Sequence, residues 1–89
     1  MRYTVVWTAT ALQQLAEVWV EHVDRAAVNR DVDSVDRELR DDPDEKGDDY
    51  FGDRYVLLPV IWALYSVVPA DRLVRVLQIG RIGFDLPHE

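Results

Sequence analysis

The sequence contains no cysteine, which excludes disulfide staples, thiolate metal sites and a thiol nucleophile, and fits a reducing cytoplasm. It also lacks a long hydrophobic run. The most apolar stretch, residues 56–68, is interrupted by Pro59 and Ser66 and falls short of the about 20 residues a membrane helix needs. Residues 1–7 carry none of the extended apolar region of a signal peptide, so a cytoplasmic protein with no membrane partner is expected. Positive charge is scarce: ten Lys and Arg stand against seventeen Asp and Glu, a net charge of −7. Phosphate binding draws on Lys and Arg, so this balance opposes nucleic acid as a partner for the chain as a whole.

The distribution of charge changes that inference. Residues 1–23 hold Arg2 against Glu17 and Glu21, while residues 24–53 hold twelve acids and five bases. Residues 54–89 carry Arg54, Arg72, Arg75 and Arg81 against Asp71, Asp85 and Glu89. The acid is concentrated in the middle third, leaving the last third able to present a local cationic patch. At 89 residues the chain supports one domain, 1–89, with one core. So small a core has a thin stability margin, which makes a bound partner or an oligomer, a homodimer included, an expectation.

Residues 2–7 are β-branched and aromatic, as suits a strand. Thr8 or Thr10 then offers an N-cap, with Gln13 at capping-box spacing from Thr10. Leu12, Leu15, Ala16, Trp19 and Val23 form one helical stripe, predicting a first helix over about residues 9–22 with that stripe inward. Asp24 caps a second helix, whose apolar positions Val28, Val32, Val35 and Leu39 recur every three or four residues. The short connection makes the two an antiparallel hairpin.

Residues 41–49 contain Pro43, Gly47 and six acids with no hydrophobic residue, the composition of a solvated loop. Asp42, Asp44, Gly47 and Asp53 fit some positions of a calcium loop, but Lys46 stands where a ligand is required and no helix follows, so no metal is expected. Three β-rich runs come next, at 54–58, 60–67 and 73–79, the last two joined by the turn Pro69-Ala70-Asp71-Arg72 into a hairpin. Residues 80–89 read as a short C-terminal tail. The order β-α-α-β-β-β predicts an α+β fold, an antiparallel four-stranded sheet with an N-terminal helical hairpin packed on one face. The other face, with its arginines, is left to meet a partner, because bare apolar faces are rarely tolerated.

Trp7-Thr8, Ala11, Leu15 and Trp19 open this pattern. Asp36, Leu39 and Asp42-Pro43 continue it, followed by the loop glycines ahead of Arg54. Leu64-Tyr65-Ser66-Val67, Asp71-Arg72 and residues 74–79 close it. In this order the residues resemble the RelE/ParE-type toxin family of type II toxin–antitoxin systems, over about residues 3–81. The resemblance implies a toxin neutralised by a cognate antitoxin that wraps over helices and sheet. RelE-like members cleave mRNA on the ribosome; ParE-like members inhibit DNA gyrase without cutting RNA.

Metal-independent RNA cleavage needs a base, a cation for the phosphorane charge and an acid. Arg54 and Arg81 stand near positions where the family has sheet arginines, making them the candidate catalytic cations; no cofactor is implied. Arg75, alternating with Val74 and Val76, points away from those valines and with Tyr65 is a candidate for target binding. Trp19 and Trp62 are candidates for antitoxin binding, tryptophan being enriched at interface hot spots, against the alternative that Trp7, Trp19 and Trp62 all pack in the core. RNA-cleaving relatives often carry a lysine-rich loop and a C-terminal His or Tyr; here the loop has only Lys46, and His88 lies next to the chain end. This favours a ParE-like or catalytically degenerate toxin. A RelE-type endoribonuclease and a non-toxic protein-binding module are the alternatives.

Overall fold

In the computed structural model, which describes residues 2–83, strand β1 (Thr4–Trp7) leads into helices α1 (Ala9–Glu21) and α2 (Arg25–Leu39), and four strands follow: β2 (Asp48–Tyr50), β3 (Asp53–Leu57), β4 (Ile61–Val68) and β5 (Leu73–Arg81). Both helices start at a side-chain cap. Thr8 accepts from the Ala11 N–H at 3.2 Å and Asp24 accepts from the Ala27 N–H at 3.1 Å, satisfying donors that the first helical turn leaves unpaired. Thr8 also donates through Oγ1 to the Val76 carbonyl at 2.9 Å, which fixes the start of α1 on β5.

The sheet has five strands in the order β1-β5-β4-β3-β2, and two of its features correct the four-stranded antiparallel expectation. First, β1 runs parallel to β5, Thr4 opposite Leu73 and Trp7 opposite Val76. The helical hairpin returns the chain far enough to make this parallel crossover. Second, Asp48–Tyr50 forms an edge strand paired with β3 where a solvated loop was expected. Two aspartates argue against a strand by propensity, yet charge on an edge strand deters further pairing. The last strand also reaches Arg81, so Gly80 and Arg81 belong to the sheet and not to a tail; residues 84–89, and with them His88, lie outside the described residues.

A register shift where Leu64 gives way to Tyr65 leaves Leu77 without a facing partner on β4. Because strand faces alternate every residue, this bulge puts Val74, Val76 and Ile79 on the same side. They join Ile61, Ala63 and Tyr65 of the sheet and Ala11, Val18, Val28, Val35 and Leu39 of the helices in one buried core. The Ile79 N–H beside the bulge is met by Gln14 Oε1 of α1 at 2.9 Å.

The face of α1 turned inward is only partly the expected one: Leu15 packs against the core, but the rest of that stripe does not. Ala11 and Val18 are buried, whereas Leu12, Trp19, Val20 and Val23 are 53%, 40%, 64% and 101% exposed. The helix has apolar residues on two sides, and the sheet takes the smaller-residue side because α1 must lie close to β5.

On the sheet face away from the helices, Trp62 lies opposite Gly80. A Cβ at Gly80 would run into the indole ring, with Nε1 at 2.6 Å. Gly80→Ala is therefore expected to cost about 1–3 kcal/mol through overpacking and to shift Trp62 fluorescence as the ring is displaced; an unchanged thermal melt would show that the ring swings aside freely.

Candidate functional site

Two of the residues singled out from the sequence meet at one end of the sheet. Arg54 of β3 pairs in register with Tyr65 of β4, and both reach the segment between α2 and β2. Arg54 donates from Nε to the Lys46 carbonyl at 2.9 Å, from Nη2 to the Gly47 carbonyl at 2.9 Å, and forms an ion pair with Asp49 at 3.3 Å. The Tyr65 hydroxyl, on a fully buried side chain, lies 2.6 Å from the Lys46 carbonyl and 3.0 Å from that of Pro43. Burial pushes this phenol above its ordinary pKa, and the neighbouring Arg54 guanidinium pulls against that shift. A phenol with a raised pKa is protonated at neutral pH, so here it is a donor and not a base. The guanidinium and phenol together latch the acidic segment between α2 and β2 onto the sheet.

Arg81 lies elsewhere. It pairs with Ile61, four residues along β4 from Tyr65, or roughly 13 Å at the rise of a strand, and its guanidinium forms an ion pair with Glu21 at the end of α1 at 3.3 Å. Arg75 is exposed on the opposite face, paired with Val6 and Ser66. The expectation that the arginines share the uncovered face is thus corrected: Arg54 and Arg81 sit at separate ends of the helix-covered face, and only Arg75 is on the other.

Other groups suited to proton transfer are engaged in holding the fold. Lys46 donates to the Glu38 carbonyl at 2.7 Å, and His22 accepts through Nδ1 from the Asp24 N–H at 2.9 Å in the turn between the helices. Among the described residues no three His, Cys, Asp or Glu side chains gather at a place able to hold a metal ion, and no helix is long and apolar enough to cross a membrane.

An apolar concavity between the helices is a different feature. Leu12, Leu15, Ala16, Trp19 and Val20 of α1 and Asn29 and Val32 of α2 line an open cleft of about 300 Å³. Arg25 stacks on the Trp19 ring at 4.4 Å and donates to the Trp19 and Val20 carbonyls, which holds that ring at the cleft margin. Trp62, by contrast, is 6% exposed on the far side of the sheet. Asp31 of α2 is a functional-looking residue that sequence reasoning missed; it is a buried carboxylate accepting from the Val60 and Ile61 N–H groups at 2.7 and 3.2 Å. Its signal was its place on the buried stripe between Val28 and Val35.

The arrangement of elements recurs in solved toxins. The RelBE2 toxin–antitoxin complex of Mycobacterium tuberculosis contains a chain that superposes with a TM-score of 0.73 at 19% identity, over 91% of this chain and 92% of that one. The chain has the RelE/ParE-type toxin fold. The same fold relates it to the free E. coli toxin RelE, with a TM-score of 0.67 at 15% identity over 93% and 86% of the two chains. A chromosomal ParDE system from P. aeruginosa matches with a TM-score of 0.64 at 16% identity over 91% and 97%. No protein-family model and no curated protein matches the sequence. The fold is thus shared at low sequence identity with a RelE and with a ParDE structure alike.

Proposed function

We propose that this chain is the toxin of a type II toxin–antitoxin pair, neutralised by a cognate antitoxin, and that it acts on its target by binding protein and not by cutting RNA. The fold supports the toxin reading, since structures at high similarity are toxins, several of them bound to antitoxin. The observation that carries the binding mode is the employment of Arg54, Tyr65, Lys46 and His22 in backbone contacts, which leaves no assembled base, acid and cation among the described residues. In this reading Arg54 and Tyr65 act by holding the acidic segment, Arg81 anchors the end of β5 to α1, and Arg75 is the cation turned to the target, DNA gyrase being the ParE-like choice. The cleft beside Trp19 seats an apolar segment of the antitoxin, because exposed apolar surface with an aromatic margin is what a partner helix covers.

The test is expression of the chain alone and with the antitoxin encoded beside it. Growth arrest relieved by the antitoxin is expected, with supercoiling impaired and transcripts intact. Transcripts cut at codon boundaries would instead establish a RelE-type ribosome-dependent endoribonuclease, and absence of arrest a non-toxic binding module. Val20→Asp, at a 64% exposed position, is expected to leave arrest intact and weaken antitoxin binding by about 10- to 100-fold, the cost of a carboxylate in an apolar contact being about 1.4–2.8 kcal/mol.

A further inference from the structure

The hairpin between β2 and β3 turns through Phe51 and Gly52, with φ of 49° and 91°. Positive φ at both central residues is the turn that strand twist favours, and Asn-Gly is its ordinary sequence. A bulky residue in the left-handed region is an outlier that costs stability. Phe51 bears that strain with its side chain 86% exposed, so the ring contributes nothing to the core in return. Its ring meets Tyr50 edge-on, at 4.9 Å between centroids, and Tyr50 in turn meets Tyr55 edge-on at 6.3 Å. Three aromatic rings thus meet edge-on toward the outer tip of the sheet.

Exposed aromatics serve either nucleic acid, by stacking on bases, or protein, by filling a pocket. The charge around Phe51 decides between them. Asp48, Asp49 and Asp53 flank the tip, Asp49 paired with Arg54, and such a concentration of carboxylates repels phosphates. We propose that Phe51 is a contact for a protein target whose surface offers an apolar pocket rimmed by Lys or Arg. The target, and not the antitoxin, is the fitting occupant. The tip lies on the outermost strand, three strand spacings or about 14 Å from β5, and α1 with its cleft packs over β5. A partner segment seated in the cleft leaves the tip uncovered. This inference rests on the toxin reading above.

The test uses the full chain carrying Phe51→Asn. Asparagine accepts the left-handed conformation, so the melting temperature is expected to stay level or rise by about 4–8 °C, the equivalent of relieving strain at one such residue in a domain this size. Antitoxin affinity is expected to remain within about twofold, while growth arrest falls at least about tenfold in inducer sensitivity, the loss of one aromatic anchor. Asp48→Lys, which inverts charge at an exposed edge position, is expected to weaken arrest as well. Wild-type arrest with undiminished arrest by Phe51→Asn overturns this contact and leaves the toxin reading standing. A lowered melting temperature overturns it by making Phe51 a folding residue, and stronger arrest by Asp48→Lys overturns it in favour of a nucleic-acid target. Absence of arrest by the wild-type chain overturns the toxin reading and this inference with it.

Discussion

Gly47→Ala is expected to destabilise the protein by about 2–5 kcal/mol, a large share of the roughly 4–13 kcal/mol that a chain of this length commands. Two costs combine. Gly47 has φ of 69°, where a side chain costs about 1–2 kcal/mol. A Cβ there would also collide with the Tyr55 carbonyl oxygen and approach the Tyr65 hydroxyl to 3.1 Å, an overpacking of about 1–3 kcal/mol. Neither neighbour is free to retreat: Tyr55 is in the β3 ladder opposite Leu64, and Tyr65 is fully buried. The carbonyl of Gly47 is itself held by Arg54, so displacing the segment breaks the latch that Arg54 and Tyr65 make. Urea titration is the measurement, with a lower midpoint at unchanged slope the expected result. Gly52→Ala is the control. Its φ of 91° is also positive but nothing lies within 4 Å of the added atom, so only the conformational part, about 1 kcal/mol, is expected. Equal losses at the two glycines would show that contact with Tyr55 and Tyr65 adds nothing.

The latch also marks where sequence reading ends. Arg54 and Tyr65 were visible as residues, but their partners are the carbonyls of Pro43, Lys46 and Gly47, and a carbonyl leaves no mark in a sequence. Capping residues do leave one, and Thr8 and Asp24 are legible for that reason, with helix limits close to those expected. Three fold features escaped because they depend on long-range pairing, on an offset or on a strand of poor propensity. The parallel join of β1 to β5 brings together residues about seventy positions apart. The bulge at Leu77 changes which side chains face inward, and β2 is built from residues with poor strand propensity. The orientation of α1 escaped for a different reason. Its sequence carries Ala11 and Val18 on one side and Leu12, Trp19 and Val20 on another, and periodicity alone cannot tell which stripe meets the sheet. The stripe with the larger side chains is the one left exposed, so the unexpected burial and the proposed docking surface have a common cause.

Asp31→Ala is expected to lower stability by about 2–5 kcal/mol and the melting temperature by at least about 10 °C. The carboxylate is 5% exposed and its Oδ2 accepts from Val60 and Ile61 at 2.7 and 3.2 Å, where the chain turns from β3 into β4. Removing it leaves two backbone donors without that acceptor, and each unsatisfied buried donor costs about 1–3 kcal/mol. Water cannot replace the carboxylate readily at Ile61, which is fully buried. Asp31→Asn keeps an acceptor oxygen and loses only the charge assistance, so a smaller loss of about 1–2 kcal/mol is expected. The ranking alanine, then asparagine, then wild type separates acceptor loss from volume change, because Asn and Asp fill nearly the same space. Amide hydrogen exchange gives a local reading: protection at Val60 and Ile61 is expected to fall before that of the β4–β5 ladder. The consequence reaches the candidate cleft, since this one contact ties α2, which supplies Asn29 and Val32 to it, to the turn that leads into Trp62 and, through the Ile82 N–H on the Val60 carbonyl at 3.1 Å, to the end of β5. A melting temperature for Asp31→Ala within about 3 °C of wild type would show that the β4 turn holds its shape without this contact from α2.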